Sequence, residues 1–441
     1  MRFLTFSALL LTASAVHYTP PAYSASLETM LTRLNEHPRV QAARKDLGTA
    51  TAAQEEAFSG YLPKVDLFAA IGPEEVDRTG LAPAGSRTNE NATSYSASIT
   101  QPVFRGFGTE AAVNSADINT SIAQLGVDAT YEQILFEGAS SYLEVLRFVE
   151  LTELALDNQD TLRQQLNLED ERVKRGSGIA VDALQAKSRL QVSKERYTAF
   201  VGGLKDAISR YTQVFNSTPE LDAMRQPDVP AQLVPDTLEE AISIAVSNNP
   251  TLQSSEAQIA LANEARTTAK TGYYPSVDLV ARHSRDDDVS GVFGEEERSA
   301  LKLESSWQIF SGFADRSRIK QADHRYSAAM ETAQFTQRQI VQEVKLAWSA
   351  LTTSRERMEL LDNAVNIAGE VYDARTRLRD AGSETAINVL DAENELYSAR
   401  IDAASARYDY FSAIYRLLLA TGQIDQIAMG NPVSEAAASP T

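Results

Sequence analysis

The chain has 441 residues, with 41 Lys+Arg against 60 Asp+Glu, a formal charge of −19 at pH 7, 43% apolar residues and a mean hydropathy of −0.27. So acidic a surface repels nucleic acid, and no basic run offers a phosphate footprint. The absence of cysteine excludes disulfides, thiolate metal sites, Fe–S clusters, a cysteine nucleophile and a lipid-modified N-terminal cysteine, and the four histidines at 17, 37, 283 and 324 give no paired metal-ligand spacing. No cofactor or metal is expected, and the abundance of alanine points to long helices rather than a compact α/β core.

Residues 1–25 read as a secretory signal peptide. Met1-Arg2 precedes the apolar run 3–16, and both Ala13-Ser14-Ala15 and Ala22-Tyr23-Ser24 fit a small-x-small cleavage site. Its removal takes Arg2 with it and leaves 40 basic against 60 acidic groups, a mature charge of −20. The run is shorter than the ~20 residues a spanning helix needs, and no later apolar run is long enough either, so any membrane-spanning part must be built of strands.

A first structural repeat is expected over residues 26–219, in the order helix, strand, loop, strand, very long helix, glycine turn, helix. In its first strand Val65, Leu67, Ala69 and Ile71 alternate with Lys64, Asp66 and Ala70 around Phe68. The stretch holding Gly72-Pro73 and Ala82-Pro83-Ala84-Gly85-Ser86 reads as a loop. In the second strand Tyr95, Ala97, Ile99, Gln101 and Val103 alternate with Ser94, Ser96, Ser98 and Thr100. A period of two marks strands with one wet and one apolar face, and ~9–11 residues suffice to cross a hydrocarbon layer when tilted. Residues 111–174 contain no proline and carry Val113, Ala116, Thr120, Ala123, Val127, Ile134, Val145 and Phe148 on a near-heptad seam, which predicts a helix about 100 Å long.

Pro227, Pro230 and Pro235 mark a linker over residues 220–236, and the plan is then written again over 237–423. Tyr273-Tyr274-Pro275-Ser276-Val277-Asp278-Leu279 repeats residues 61–67 at an offset of 212, as Asn249-Pro250 repeats His37-Pro38. Ile309-Phe310-Ser311-Gly312-Phe313 repeats Val103-Phe104-Arg105-Gly106-Phe107 at an offset of 206. The strands here are expected around Val277, Leu279 and Ala281, and over Leu301, Leu303, Ser305, Trp307 and Ile309. Residues 314–380 form the second proline-free stretch, with Ile319, Ala322, Tyr326, Ala329 and Ala333, then Ile340, Val344, Ala347 and Leu351, then Met358, Leu361, Val365, Ala368 and Tyr372 on a near-heptad seam. Residues 424–441 are expected to be a disordered tail.

Small seam residues bury little area each, so several helices from several copies of the chain must share the packing. Four strands cannot close a barrel, and an open edge is not tolerated in lipid. An eight-strand barrel fills with side chains, so a wet inward face favours twelve strands and three chains. Tyr61, Tyr273, Tyr274, Phe104, Phe107, Trp307, Phe310 and Phe313 cluster near the strand ends, as a membrane-interface girdle would.

The duplicated plan, the Tyr-x-Pro-x-Val-Asp-Leu strand starts, Phe-x-Gly-Phe leading into each long helix and two tip motifs together resemble the TolC-like outer-membrane efflux and secretion proteins. The tips are Arg175-Gly176-Ser177-Gly178-Ile179-Ala180-Val181-Asp182 and Gly382-Ser383-Glu384-Thr385-Ala386-Ile387-Asn388-Val389-Leu390-Asp391-Ala392. The resemblance covers residues 27–422. It implies a mainly α chain with a membrane β-barrel: a trimeric twelve-stranded barrel, four strands per chain, continued by a long α-helical coiled-coil tunnel through the periplasm. It implies docking at the tips on a periplasmic adaptor and an inner-membrane ABC transporter or proton-driven pump. In the family, carboxylates after the second tip line the narrow entrance; the matching positions are Asn388 and Asp391, so one ring of carboxylates is expected where two would stand. Asp182 matches a position that helps hold the entrance closed. Gly176, Gly178 and Gly382 fit sharp helix-to-helix turns and adaptor docking.

Gly106-Phe107-Gly108-Thr109-Glu110-Ala111 imitates a dinucleotide loop, but its repeat partner loses the second glycine and no parallel sheet is expected around it. Asp286-Asp287-Asp288 and Glu295-Glu296-Glu297 read as a solvated external loop rather than a Ca²⁺ site. The functional expectation is therefore a passive, non-enzymatic exit duct linked to type I secretion. That branch is preferred on a general likeness of the loop after Val280 and the strand near Leu301 to secretion-linked members. Drug or metal efflux is the alternative, and a pore-less structural coiled coil the second alternative.

Overall fold

The computed structural model describes residues 26–77, 87–176, 179–228, 230–291 and 294–428; the expected signal peptide lies outside them. The chain runs α1 (Leu27–Arg33), α2 (Pro38–Phe58), β1 (Lys64–Asp77), β2 (Arg87–Arg105), α3 (Gly108–Lys174) and α4 (Ala180–Phe215). It continues through α5 (Leu238–Asn248), α6 (Pro250–Lys270), β3 (Ser276–Asp287), β4 (Glu295–Ser306), α7 (Ala314–Asp380), α8 (Ala386–Thr421) and α9 (Asp425–Ala428). Both long helices have 67 residues and both return helices 36. Each boundary in the second set lies 206 residues after its counterpart in the first. At ~1.5 Å per residue each long helix extends about 100 Å. Among the described residues no helix is long and apolar enough to cross a membrane.

The repeated sequence signals are start and stop signals. His37-Pro38 and Asn249-Pro250 are matching cap and first-turn pairs: His37 Nδ1 accepts from Arg39 N–H at 3.2 Å, and Asn249 Oδ1 from Thr251 N–H at 3.0 Å. Asn216 (φ 51°) and Gly422 (φ 69°) end the return helices in the left-handed conformation. Gly106-Phe107 (φ 61° and 68°) and Gly312-Phe313 (φ 62° and 66°) are consecutive left-handed pairs that turn a strand into a long helix. This elbow is what imitates the dinucleotide loop, and the adjoining sheet is antiparallel throughout.

The four strands form one sheet in the order β1-β2-β3-β4, with both ends open. Its register puts Val65, Leu67, Ala69, Ile71, Tyr95, Ala97, Ile99, Leu279, Ala281, Leu301 and Leu303 on one face. Lys64, Asp66, Ser94, Ser96, Ser98, Arg282, Ser284, Lys302 and Glu304 lie on the other. Leu67 is 82% exposed and Leu301 71%, so the apolar face has no partner within the chain. The strands are longer than the alternation suggests. Gly72 and Pro73 pair with Ala92 and Asn91 inside the ladder rather than in a loop. Asp286 and Asp287 pair with Glu296 and Glu295, held by Arg285–Glu295 at 2.7 Å and by Arg298–Glu296. The acidic runs are therefore the ends of β3 and β4, not a loop, and no acidic or histidine group that could hold a metal occurs among the described residues.

Helices α2, α3, α6 and α7 lie side by side, with α4 against α3 and α8 against α7. The core is a belt partway along them, where Tyr142, Tyr211 and Tyr415 are fully buried with Leu27, Leu31, Ile134, Leu135, Ile414, Leu417 and Leu418. The seam residues Ala116, Val127, Ile134, Val145, Ala322, Ile340, Val344, Ala347 and Leu351 are buried. The linker packs onto this belt: Met224 is buried and the Tyr142 hydroxyl donates to the Arg225 carbonyl at 2.8 Å. So does the start of the expected tail, since Ile424 and Ile427 are buried; the packed chain reaches Ala428, and 429–441 lie outside the described residues.

Candidate functional site

The tips carry the polar chemistry furthest from the sheet. At the second tip Gly382 (φ 78°) closes a left-handed turn in which Ser383 N–H donates to Leu378 O at 2.9 Å and Gly382 N–H to Arg379 O at 2.9 Å. Gly176 (φ 74°) does the same for the first tip, its N–H donating to Val173 O at 3.0 Å. Both glycines serve as the turns the sequence required; Gly178 lies outside the described residues.

Asp391 stands exposed on the second turn of α8, and its partner comes from the other repeat. Arg189 of α4 donates to the Asp391 carboxylate and, at 2.6 Å, to the Leu390 carbonyl. The expected carboxylate position thus carries its own cation. Asn388 turns the other way: its N–H donates to the capping Thr385 hydroxyl at 3.4 Å and its amide to Glu384. The Asn388 amide, the Thr385 N–H and Arg375 hold the Glu384 carboxyl below the usual carboxylate range. So Asn388 organises the cap of α8 while Asp391 faces outward. Asp182, on the first turn of α4, makes no side-chain hydrogen bond or ion pair among the described residues. The close tie at this level is a different one: Glu169 of α3 accepts from Arg379 of α7, with Arg172 at 3.6 Å. Both partners are almost fully buried, with side chains 4% and 9% exposed. Sequence spacing could not reveal this pair, which joins positions 210 residues apart.

Among the described residues, the aromatic residues expected in a girdle gather at the rim of the sheet where strands meet helices. Tyr61 precedes β1, Tyr273 and Tyr274 precede β3, Phe104 ends β2, and Trp307 and Phe310 follow β4. Phe104, Phe107 and Tyr274 stack edge-on with centroids 5.4–6.4 Å apart, and Phe310 and Phe313 repeat the edge contact at 5.4 Å.

A sequence model of the family described as outer membrane efflux protein matches residues 32–208 and 241–423, most of both repeats. The chain belongs to the outer membrane efflux protein family. TolC of Escherichia coli is 24% identical over 417 residues, covering 90% of this chain and 83% of its own. The alkaline protease secretion protein AprF of Pseudomonas aeruginosa is 22% identical over 301 residues, 67% of this chain and 62% of its own. The crystal structure of the outer membrane protein VceC of Vibrio cholerae superposes with a TM-score of 0.77 at 16% identity, covering 90% of this chain and 96% of that one. As an outer membrane efflux protein the chain is a channel-tunnel component of the outer membrane, with its sheet as the membrane part and its helices as the periplasmic extension. The exposed apolar sheet face is then the lipid-facing surface.

Proposed function

We propose that this outer membrane efflux protein is the passive exit duct of a type I, ABC transporter-linked secretion system. It works as a homotrimer, catalyses no reaction, and opens at the helix tips, where a periplasmic adaptor docks. The observation that carries the pore is the pair of open sheet edges read through the internal repeat. Within the chain β2 pairs with β3: Gln101 faces Leu279 and Phe104 faces Val277. Shifting β2 by 206 and β3 by −212 turns this into β4 pairing with β1 of the next copy. Trp307 then faces Leu67 and Phe310 faces Val65 of that copy. This closure accounts for the shortness of β4. It ends at Ser306, whereas β2, paired on both sides, runs to Arg105, the counterpart of Ser311. Trp307 to Phe310 lack the neighbour that would make them strand.

Three chains close twelve strands, wide enough for a water-filled lumen lined by the polar face. The relative named for alkaline protease secretion supports protein cargo; the family's own description supports efflux of small molecules as the second reading. The sequence contains no native cysteine, so the register is testable directly. Leu67→Cys with Trp307→Cys in one chain is expected to form disulfides between copies that stop at a covalent trimer. A ladder without limit, or no cross-link, overturns the closure. Loss of an ABC-exported protein from the medium of a deletion strain, with drug susceptibility unchanged, is the result expected for secretion. The reverse pattern favours efflux.

A further inference from the structure

Two residues after Asp391, on the opposite side of α8, Glu393 points into the packing between the two repeats. It is 5% exposed, and neither carboxyl oxygen makes a well-formed hydrogen bond, the Gln165 side chain pulling on it only weakly. The helices around it present further polar groups, several of them unmatched. From α3 comes Gln165, whose side-chain oxygen is buried and unpartnered. From α4 come Ser193, also unpartnered, and Arg189 and Arg196. From α7 comes Tyr372, and from α8 itself Tyr397, whose buried hydroxyl has no partner. The nearest cation, Arg189, is committed to Asp391 and the Leu390 carbonyl; Arg196 lies over the Tyr397 ring at 5.7 Å; and Glu169 nearby is taken by Arg379.

A carboxylate without a partner in such a place is costly, whereas a neutral acid is tolerated. We propose that Glu393 is a proton-operated latch of the tunnel entrance: protonated, it lets α8 pack against α3 and α4; ionised, it drives those helices apart and draws Arg189 off Asp391. This rests on the reading of the tips as the gate. Burial, against weaker opposing pulls from Gln165 and Arg189, pushes the packed carboxyl up to about 7 from 4.5. A separated tip exposes the group to water and returns it to its ordinary range. Between the two values the open form has released a proton that the packed form keeps. Opening therefore rises about tenfold per pH unit, levels off above pH 7, and is reversed by acid; the full range is roughly 300-fold per protomer.

The test is open probability of the full-length mature protein in planar bilayers from pH 4.5 to 8, for wild type, Glu393→Gln and, as a control on the same helix, the exposed Glu395→Gln. The expected result is a rise to a plateau near pH 7 in wild type and Glu395→Gln, and a low, pH-independent value in Glu393→Gln. A Glu393→Gln profile that follows wild type overturns the latch, as does loss of the rise in Glu395→Gln. If bilayers stay silent, hydrogen exchange of residues 386–397, corrected for its intrinsic pH dependence, decides. It should be faster at pH 7.5 than 5.5 in wild type only, and equal behaviour of the variant overturns the proposal. Failure of the channel reading itself looks different: no pore at any pH and no cross-link between Leu67→Cys and Trp307→Cys.

Discussion

Arg189 of the first repeat clamps Asp391 of the second, joining helices whose contact residues lie 202 positions apart in the chain. The pair is half in water, with side chains 30% and 60% exposed, so it contributes only ~0.2–1 kcal/mol to stability. In the proposed trimer its weight would lie in the field at the entrance, where each clamp would cancel one of three Asp391 carboxylates. Arg189→Ala is expected to leave the melting transition nearly unchanged and to raise cation preference. Asp391→Ala leaves Arg189 uncompensated and should lower it, and the double variant, neutral like the clamped pair, should return close to wild type. Zero-current potentials across a salt gradient read all three. Equal potentials in Arg189→Ala and wild type would place Asp391 away from the ion path.

Glu169 and Arg379 present the opposite balance. Here both charges are buried, so removing one leaves the other stranded, at a cost of about 3–5 kcal/mol. Among the described residues Arg379 has no other acidic partner and its Nε is already unsatisfied, whereas Glu169 keeps Arg172 at 3.6 Å. Glu169→Ala is therefore expected to loosen the tips more than Arg379→Ala, and the joint change to Glu169→Leu with Arg379→Met to restore much of the loss. Hydrogen-exchange protection over residues 165–176 measures this locally. Equal effects of the two single changes would contradict the asymmetry.

The repeat explains how much of this was legible beforehand. His37-Pro38 and Asn249-Pro250, or Phe104 and Phe310, report local geometry, and local geometry copies faithfully between halves. The helices, the elbows and the turns at Gly176 and Gly382 were therefore readable from spacing. Strand ends were not, because pairing rather than composition fixes them: Gly72-Pro73 signals a loop yet sits in a ladder, and Trp307 signals a strand yet lies beyond β4. The site residues Arg189, Glu169, Arg379 and Glu393 were missed for the same reason. Each is an ordinary charged residue on a helix, and its role comes from a partner, or the lack of one, across the other repeat. Asp391 was found only through its motif, which says nothing of Arg189.

Gly106 and Gly312 share one elbow conformation but not one environment. A Cβ on Gly106 would lie 2.9 Å from both the Thr271 carbonyl oxygen and Tyr274 Cβ, while one on Gly312 meets nothing within 4 Å. In the proposed trimer the repeat would bring Ser59 and Leu62 of the next copy beside Gly312. Both Gly→Ala changes carry left-handed strain of ~1–2 kcal/mol. Gly106→Ala adds overlap within the chain and is expected to lower protomer stability further. Gly312→Ala should cost the protomer that strain alone and weaken assembly, which the trimer fraction by light scattering reports. A normal trimer fraction in Gly312→Ala would argue against the seam.

Glu132 on α3 tests the belt rather than the tips. It is 8% exposed, and burial, with Asp425 and Asp128 nearby, pushes its carboxyl up to about 8 from 4.5. The folded chain therefore holds a proton that the unfolded chain gives up between those values. Stability attributable to this group falls as pH rises through that window, by about 1.4 kcal/mol per unit, and is flat on either side. Glu132→Gln removes the slope. It should match wild type near pH 4 and exceed it in denaturant midpoint at pH 8, the gain growing steadily between. A variant that tracks wild type across the range would mean that Glu132 is ionised in the folded chain and would overturn this reading.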